Sequence, residues 1–164
     1  IFAWSLKGMG DALEIGTFVK TIVGTNASAS VILPAILFLV AIFLSFSTGT
    51  SWGTFAILVP IAIAMFPGAD NMQMMIIAVS AVLSGAVCGD HVSPISDTTV
   101  MSSAGAQSNH INHVTTQMQY AAVVAVVSAV GFLLAGFVHV WWIVLGVSLI
   151  LLLAVLTVLR KVAK

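Results

Sequence analysis

Long apolar runs separated by short polar islands dominate the chain. VILPAILFLVAIFLSF (31–46) runs into the island STGTSWGT (47–54), which is followed by FAILVPIAIAMF (55–66). As helices the two runs reach about 24 and 18 Å, short of the roughly 30 Å hydrocarbon core of a bilayer. Neither spans comfortably and together they are too long for one span, so the pattern predicts a re-entrant hairpin or a discontinuous helix over 31–66. PGAD (67–70) reads as a turn. NMQMMIIAVSAVLSGAVC (71–88) has spanning length, with Ser80, Ser84 and Gly85 placing small residues for close helix contact. The second island, GDHVSPISDTT (89–99), interrupts that helix, and VMSSAGAQSNHINHVTTQM (100–118) is too polar to face lipid. The pattern therefore predicts a broken helix over 71–113. QYAAVVAVVSAVGFLLAGFV (119–138) and WWIVLGVSLILLLAVLTVL (141–159) read as spans. His139, Trp141 and Trp142 at their junction suit an interfacial turn in an aromatic belt. Residues 1–30 mix apolar positions with Lys7, Asp11, Glu14 and Lys20 and read as an amphipathic or interfacial segment and a loop. The fold expected is an all-α polytopic membrane protein, its transport domain covering 31–164.

Composition agrees. The chain is 60% hydrophobic and 6% charged, against about 25% charged for a soluble domain. Between Thr21 and Leu159 the charged residues are Asp70, Asp90 and Asp97. A water-facing surface cannot be built from that, and neither can a nucleic-acid-binding face. The bilayer is the expected solvent. The basic tail RKVAK places the C-terminus in the cytoplasm by the positive-inside rule, in an inner or cell membrane. Cys88 is the single cysteine, so no internal disulfide forms. The chain opens on Ile1 without a signal-peptide pattern and reads as part of a longer protein, whose upstream half is an expected partner.

Both islands combine glycine with hydroxyl and carbonyl oxygens. Irregular backbone at membrane depth survives only when buried in protein or lining a wet cavity. Oxygen-rich breaks are what a hard cation such as Na+ needs, and two islands meeting near the midplane would form an ion site. A charge deep in the bilayer costs at least about 2.5–3.5 kcal/mol, which makes Asp90 and Asp97 the charges to explain. Pro94 between them predicts an unwound segment with one aspartate on each side. A carboxylate withdrawn from water holds a proton or a cation, not comfortably both, and that competition is the simplest basis for exchange. The structural alternative is that Asp97 caps the following half-helix. His91 suits a proton relay or pH sensor, while His110 and His113 suit an interface. Cys88 and the histidines lack zinc spacing, and no nucleophile–base pair is evident, so neither a bound metal nor enzyme chemistry is expected. Trp52 either packs with its indole N–H bonded or walls the site.

STGTSWGTFAILVPIA (47–62) and SGAVCGDHVSPISDTTVMSSAGAQSNHINHVTTQMQYA (84–121) resemble the C-terminal half of the NhaC family of Na+/H+ antiporters. The resemblance covers residues 30–121 and extends to the terminal spans by position and hydropathy. It implies a secondary transporter exchanging Na+ or Li+ for H+, built from inverted repeats that each carry a re-entrant hairpin and a broken helix. This chain would be one repeat. Similar proteins exchange organic anions, malate for lactate, with coupled cations, which stands as the alternative. The resemblance makes Asp90 and Asp97 candidate proton or cation carboxylates. Ser47, Thr48, Thr50, Ser51, Ser93, Ser96, Thr98 and Thr99 become candidate oxygen ligands or structural hydroxyls. Gly49, Gly53 and Gly89 would permit the breaks, with Pro94 at the second. The expected partners are the lipid bilayer, Na+, H+ and the upstream half, with a homodimer left open. No cofactor is expected beyond the transported ions.

Overall fold

In the computed structural model, residues 27–66 and 71–162 are described, together with isolated positions before residue 22. The amphipathic segment, the PGAD turn and Asp70 lie largely or wholly outside the described residues. Among the described residues six helices follow one another from residue 27: α1 (Ala27–Thr48), α2 (Ser51–Met65), α3 (Met72–Val92), α4 (Asp97–Gly105), α5 (His110–Phe137) and α6 (Trp141–Val162). By length and composition four can cross a membrane: Ser30–Thr48, Met72–Val92, His110–Phe137 and Trp141–Lys161.

Two boundaries differ from the pattern reading. The first helix is not confined to 31–46. It starts at Ala27, so its 22 residues reach about 33 Å. The polar ASAS turn is helical, because serine and alanine do not break a helix that an apolar run propagates. Nor does the span read as 119–138 start at 119: the polar stretch 100–118 divides between α4 and α5, and α5 begins at His110. Asn109 caps α5 by accepting from the Asn112 N–H at 3.1 Å, and HINHVTTQM forms its first turns. Polarity alone does not end a helix; here the second interruption falls at 106–109.

That interruption is a Schellman turn. Gln107 adopts φ 51°, the Ser108 N–H reaches Ser103 O at 3.0 Å, and the Gln107 N–H reaches Ala104 O at 3.1 Å. A side chain at positive φ is tolerated poorly, and a β-branched one worst. Gln107→Val is therefore expected to cost about 1–2 kcal/mol, and Gln107→Gly to be neutral or slightly stabilising. Thermal unfolding midpoints in detergent check both.

Helix directions follow from cross-helix contacts. Ser45 Oγ donates to Ala86 O at 2.6 Å, and Ser93 Oγ donates to Phe46 O at 2.8 Å. Gly85 faces Phe38 and Gly89 faces Ile42. The numbering rises together, so α1 and α3 run parallel. A Cβ on Gly85 or Gly89 would strike the Phe38 or Ile42 carbonyl oxygen, so the two backbones touch where only glycine fits. Gly136 faces Val31 in the same way, and the Phe38 and Phe132 rings lie 5.1 Å apart. That pairing makes α5 antiparallel to α1. The short connection 138–140, with Gly131 against Ser148 on either side of it, makes α6 antiparallel to α5. Leu33, Leu37 and Ala41 of α1, Leu58, Ala62 and Met65 of α2, and Ala78, Val82 and Ala86 of α3 form the apolar core. The consequence for the site is simple. The end of α1, the starts of α2 and α5, the end of α3 and all of α4 gather at one end of the bundle.

Candidate functional site

The two polar islands meet. Gly49, at φ +68°, ends α1 and lies so near Ile95 that a Cβ would stand 2.8 Å from its Cγ1. Its N–H bonds to Ser45 O at 2.8 Å, closing the helix in the left-handed manner that glycine allows. Thr50 then caps α2, its Oγ1 accepting from the Gly53 N–H at 3.4 Å. This two-residue reversal points the first turn of α2 at the end of α3.

Asp90 is the focus. It is half-buried in the last turn of α3. Ser51, from the first island, donates to its Oδ2 at 2.9 Å, and Ser96, beyond the break, donates to its Oδ1 at 2.7 Å. Ser96 Oγ also lies 2.8 Å from Thr98 Oγ1. One carboxylate and three hydroxyls thus converge from both islands, with Ser51 and Ser96 buried. Hydroxyls donate to an ionised carboxylate and can turn to accept from a protonated one, or offer lone pairs to a cation. The group can therefore change occupant without leaving a buried polar atom unpaired.

The break is anchored on every side. Ser93 bonds to α1 as above, the Ile95 N–H reaches Ser93 Oγ at 3.4 Å, and Thr99 Oγ1 donates to His91 O at 3.2 Å. Pro94 sits at the turn and has no N–H to satisfy. This is the condition for irregular backbone at membrane depth, since its polar groups are paired within the protein.

Other candidates lie elsewhere. Asp97 is exposed in the first turn of α4, and Ser96, not Asp97, holds the N-cap position, which corrects the capping alternative. The reason is the backbone: Ser96 is extended at φ −71°, ψ 137°, so the helix begins one residue later. Ser47 and Thr48 are exposed and bond back to Phe43 O and Leu44 O of their own helix. Gly53 and Gly89 lie inside helices rather than at breaks, Gly53 in the first turn of α2 and Gly89 at the α1 contact. Trp52 is exposed, its ring edge on Phe55 at 5.8 Å between centroids, so it is not packed inside. His91 is exposed and turns to a groove of about 790 Å3 between α3 and α5, shared with Val87, Cys88, Gln117 and Tyr120. Among the described residues no three His, Cys, Asp or Glu side chains gather as a metal site requires.

Three residues at the site were not legible from the pattern. Ser45 is a buried hydroxyl in an apolar run, and its bond to α3 has no local signature. Thr54 is buried and bonds back to Thr50 O at 3.1 Å. Ser103, on α4, is buried beside His110. Their only sequence signal is a hydroxyl within or beside a polar island.

Helices long and apolar enough to cross a membrane thus tie two helix interruptions around one carboxylate, the kind of break at which membrane proteins place polar sites. The chain belongs to the Na+/H+ antiporter family, whose model matches residues 1–137. A protein of Haemophilus influenzae described only as uncharacterized is 46% identical over 138 residues, covering 84% of this chain and 26% of that protein. A Bacillus subtilis protein named malate-2H(+)/Na(+)-lactate antiporter is 33% identical over 97 residues, covering 58% of this chain and 20% of its own length. The chain thus spans about a quarter or less of these relatives. No solved structure matches it.

Proposed function

We propose that this chain forms part of a secondary antiporter exchanging Na+ or Li+ for H+, with Asp90 as the carboxylate the two ions share. The observation that carries the reading is the convergence of Ser51 and Ser96 on both oxygens of Asp90 from opposite islands. A proton on Asp90 and a cation held by Asp90 and its hydroxyls are mutually exclusive, so release of one drives uptake of the other. Asp97, exposed at the positive end of α4, serves as an outlying charge at the mouth of the site. In this reading α1 and α2 form a re-entrant pair, and the chain is one of two inverted repeats, the other supplying the facing half of the site. The basic tail favours a cytoplasmic C-terminus; with α1, α3 and α6 parallel, that orientation would put Asp90 toward the cytoplasmic end.

The Bacillus subtilis relative favours a second reading, exchange of organic anions with coupled cations. A carboxylate substrate would need a cationic partner, and residues 21–159 contain no Lys or Arg. Helix N-termini could still bind it, and the rest of the full-length protein could supply a cation. The full-length protein in inside-out vesicles separates the two. A pH-sensitive dye is expected to report collapse of the proton gradient on adding Na+ or Li+ as the chloride, with no further response when malate or lactate accompanies the Na+. A response that requires malate or lactate together with Na+ would move the assignment to the exchanger.

A further inference from the structure

His110 is the first residue of α5, and its ring bridges two parts of the chain. Nε2 lies 2.8 Å from Pro94 O, in the α3–α4 break, and Nδ1 lies 3.0 Å from Ser103 Oγ on α4. A carbonyl only accepts, so Nε2 carries a proton and donates it. The Pro94 carbonyl is released from helical pairing by the break, and the imidazole is its partner. The neutral ring then accepts at Nδ1 from Ser103, which also lies 2.9 Å from Val100 O. If the ring is charged, Nδ1 donates to Ser103 and Ser103 donates to Val100 O. The bond to Pro94 O survives both states. The neighbouring His113 contacts Ser102, with 3.3 Å from its Nε2 to the hydroxyl, and plays no part in the bridge.

Pro94 precedes by two residues the buried Ser96 that donates to Asp90. We infer that His110 is a positioning residue that clamps the α3–α4 break to α5 and so fixes Ser96 against Asp90. Ser93 ties the same segment to α1 and Thr99 ties it to the end of α3. His110 adds the α5 anchor, and it does so through Nε2. Glutamine reaches the place of Nε2 with an amide N–H, whereas asparagine reaches only the place of Nδ1. That difference makes the clamp testable.

Two readouts in the full-length protein test it. The transport readout rests on the antiporter reading; the labelling readout does not. His110→Ala and His110→Asn are expected to raise the half-saturating Na+ concentration roughly three- to tenfold, leaving the maximal rate largely intact, and His110→Gln to restore it. For labelling, Ser96→Cys is placed in a background with Cys88 and any other cysteine removed, and the rate of maleimide attachment is followed. His110→Ala is expected to speed labelling roughly tenfold as the segment loosens, and His110→Gln to leave it slow. Unchanged labelling in His110→Ala, or fast labelling in His110→Gln, would overturn the clamp whatever ion is carried. If labelling follows the clamp while no variant moves Na+, the clamp stands and the antiporter reading fails.

Discussion

Asp90→Asn is expected to reduce Na+-driven proton movement at least about 100-fold, while the protein still inserts and folds. Asparagine keeps the shape and can accept one hydroxyl bond and donate another, so Ser51 and Ser96 retain partners. What it loses is the charge that holds a cation and the site that takes a proton. An interaction worth about 1.4 kcal/mol changes an equilibrium tenfold, and removing a carboxylate from a partly desolvated cation site costs several times that. Ser51→Ala and Ser96→Ala remove one ligand each and are expected to raise the half-saturating Na+ concentration, with activity retained. Asp97→Asn is the internal comparison. Its carboxylate is exposed at a helix start, where such a charge contributes about 0.3–1 kcal/mol. Exchange should fall no more than a few-fold. Dye-reported gradient collapse in vesicles, normalised to protein level, checks all four variants.

Gly89→Leu is expected to abolish assembly, and Gly85→Leu to do nearly as much. At both positions a Cβ would meet the backbone of α1, which cannot step aside as a side chain can. Between helices in lipid there is little hydrophobic drive, so close backbone approach supplies much of the attraction. Prising α1 from α3 would also break the Ser45 and Ser93 bonds across them and carry Ser51 away from Asp90. Overpacking by a methylene already costs about 1–3 kcal/mol. Gly146 on α6, where a Cβ meets nothing within 4 Å, provides the contrast. Gly146→Ala is expected to be tolerated or to gain up to about 1 kcal/mol from helix propensity. Size-exclusion profiles and thermal midpoints in a mild detergent distinguish the outcomes.

The interruption at Pro94 and the reversal at Gly49 were legible because proline, glycine and hydroxyl residues punctuate otherwise apolar runs. The terminal spans were legible from length and hydropathy. The beginnings of α1 and α5 were not, since ASAS and HINHVTTQM are helical through propagation and an asparagine cap rather than through apolar periodicity. The ranking of the two aspartates was beyond pattern reading. They are seven residues apart in one island, and only the fold shows that Asp90 turns toward Ser51 while Asp97 faces outward. Gly89 shows the same limit. A glycine beside a polar island reads as a break, yet what it does is admit the backbone of α1.

Proton release on cation binding tests the shared-carboxylate account most directly. Purified full-length protein in weakly buffered detergent solution is titrated with NaCl, with choline chloride as the control, while pH is recorded. The account predicts that Na+ displaces protons from wild type, that Asp90→Asn releases none, and that Asp97→Asn behaves much as wild type. Undiminished release from Asp90→Asn would contradict it and place the exchanging group elsewhere in the protein.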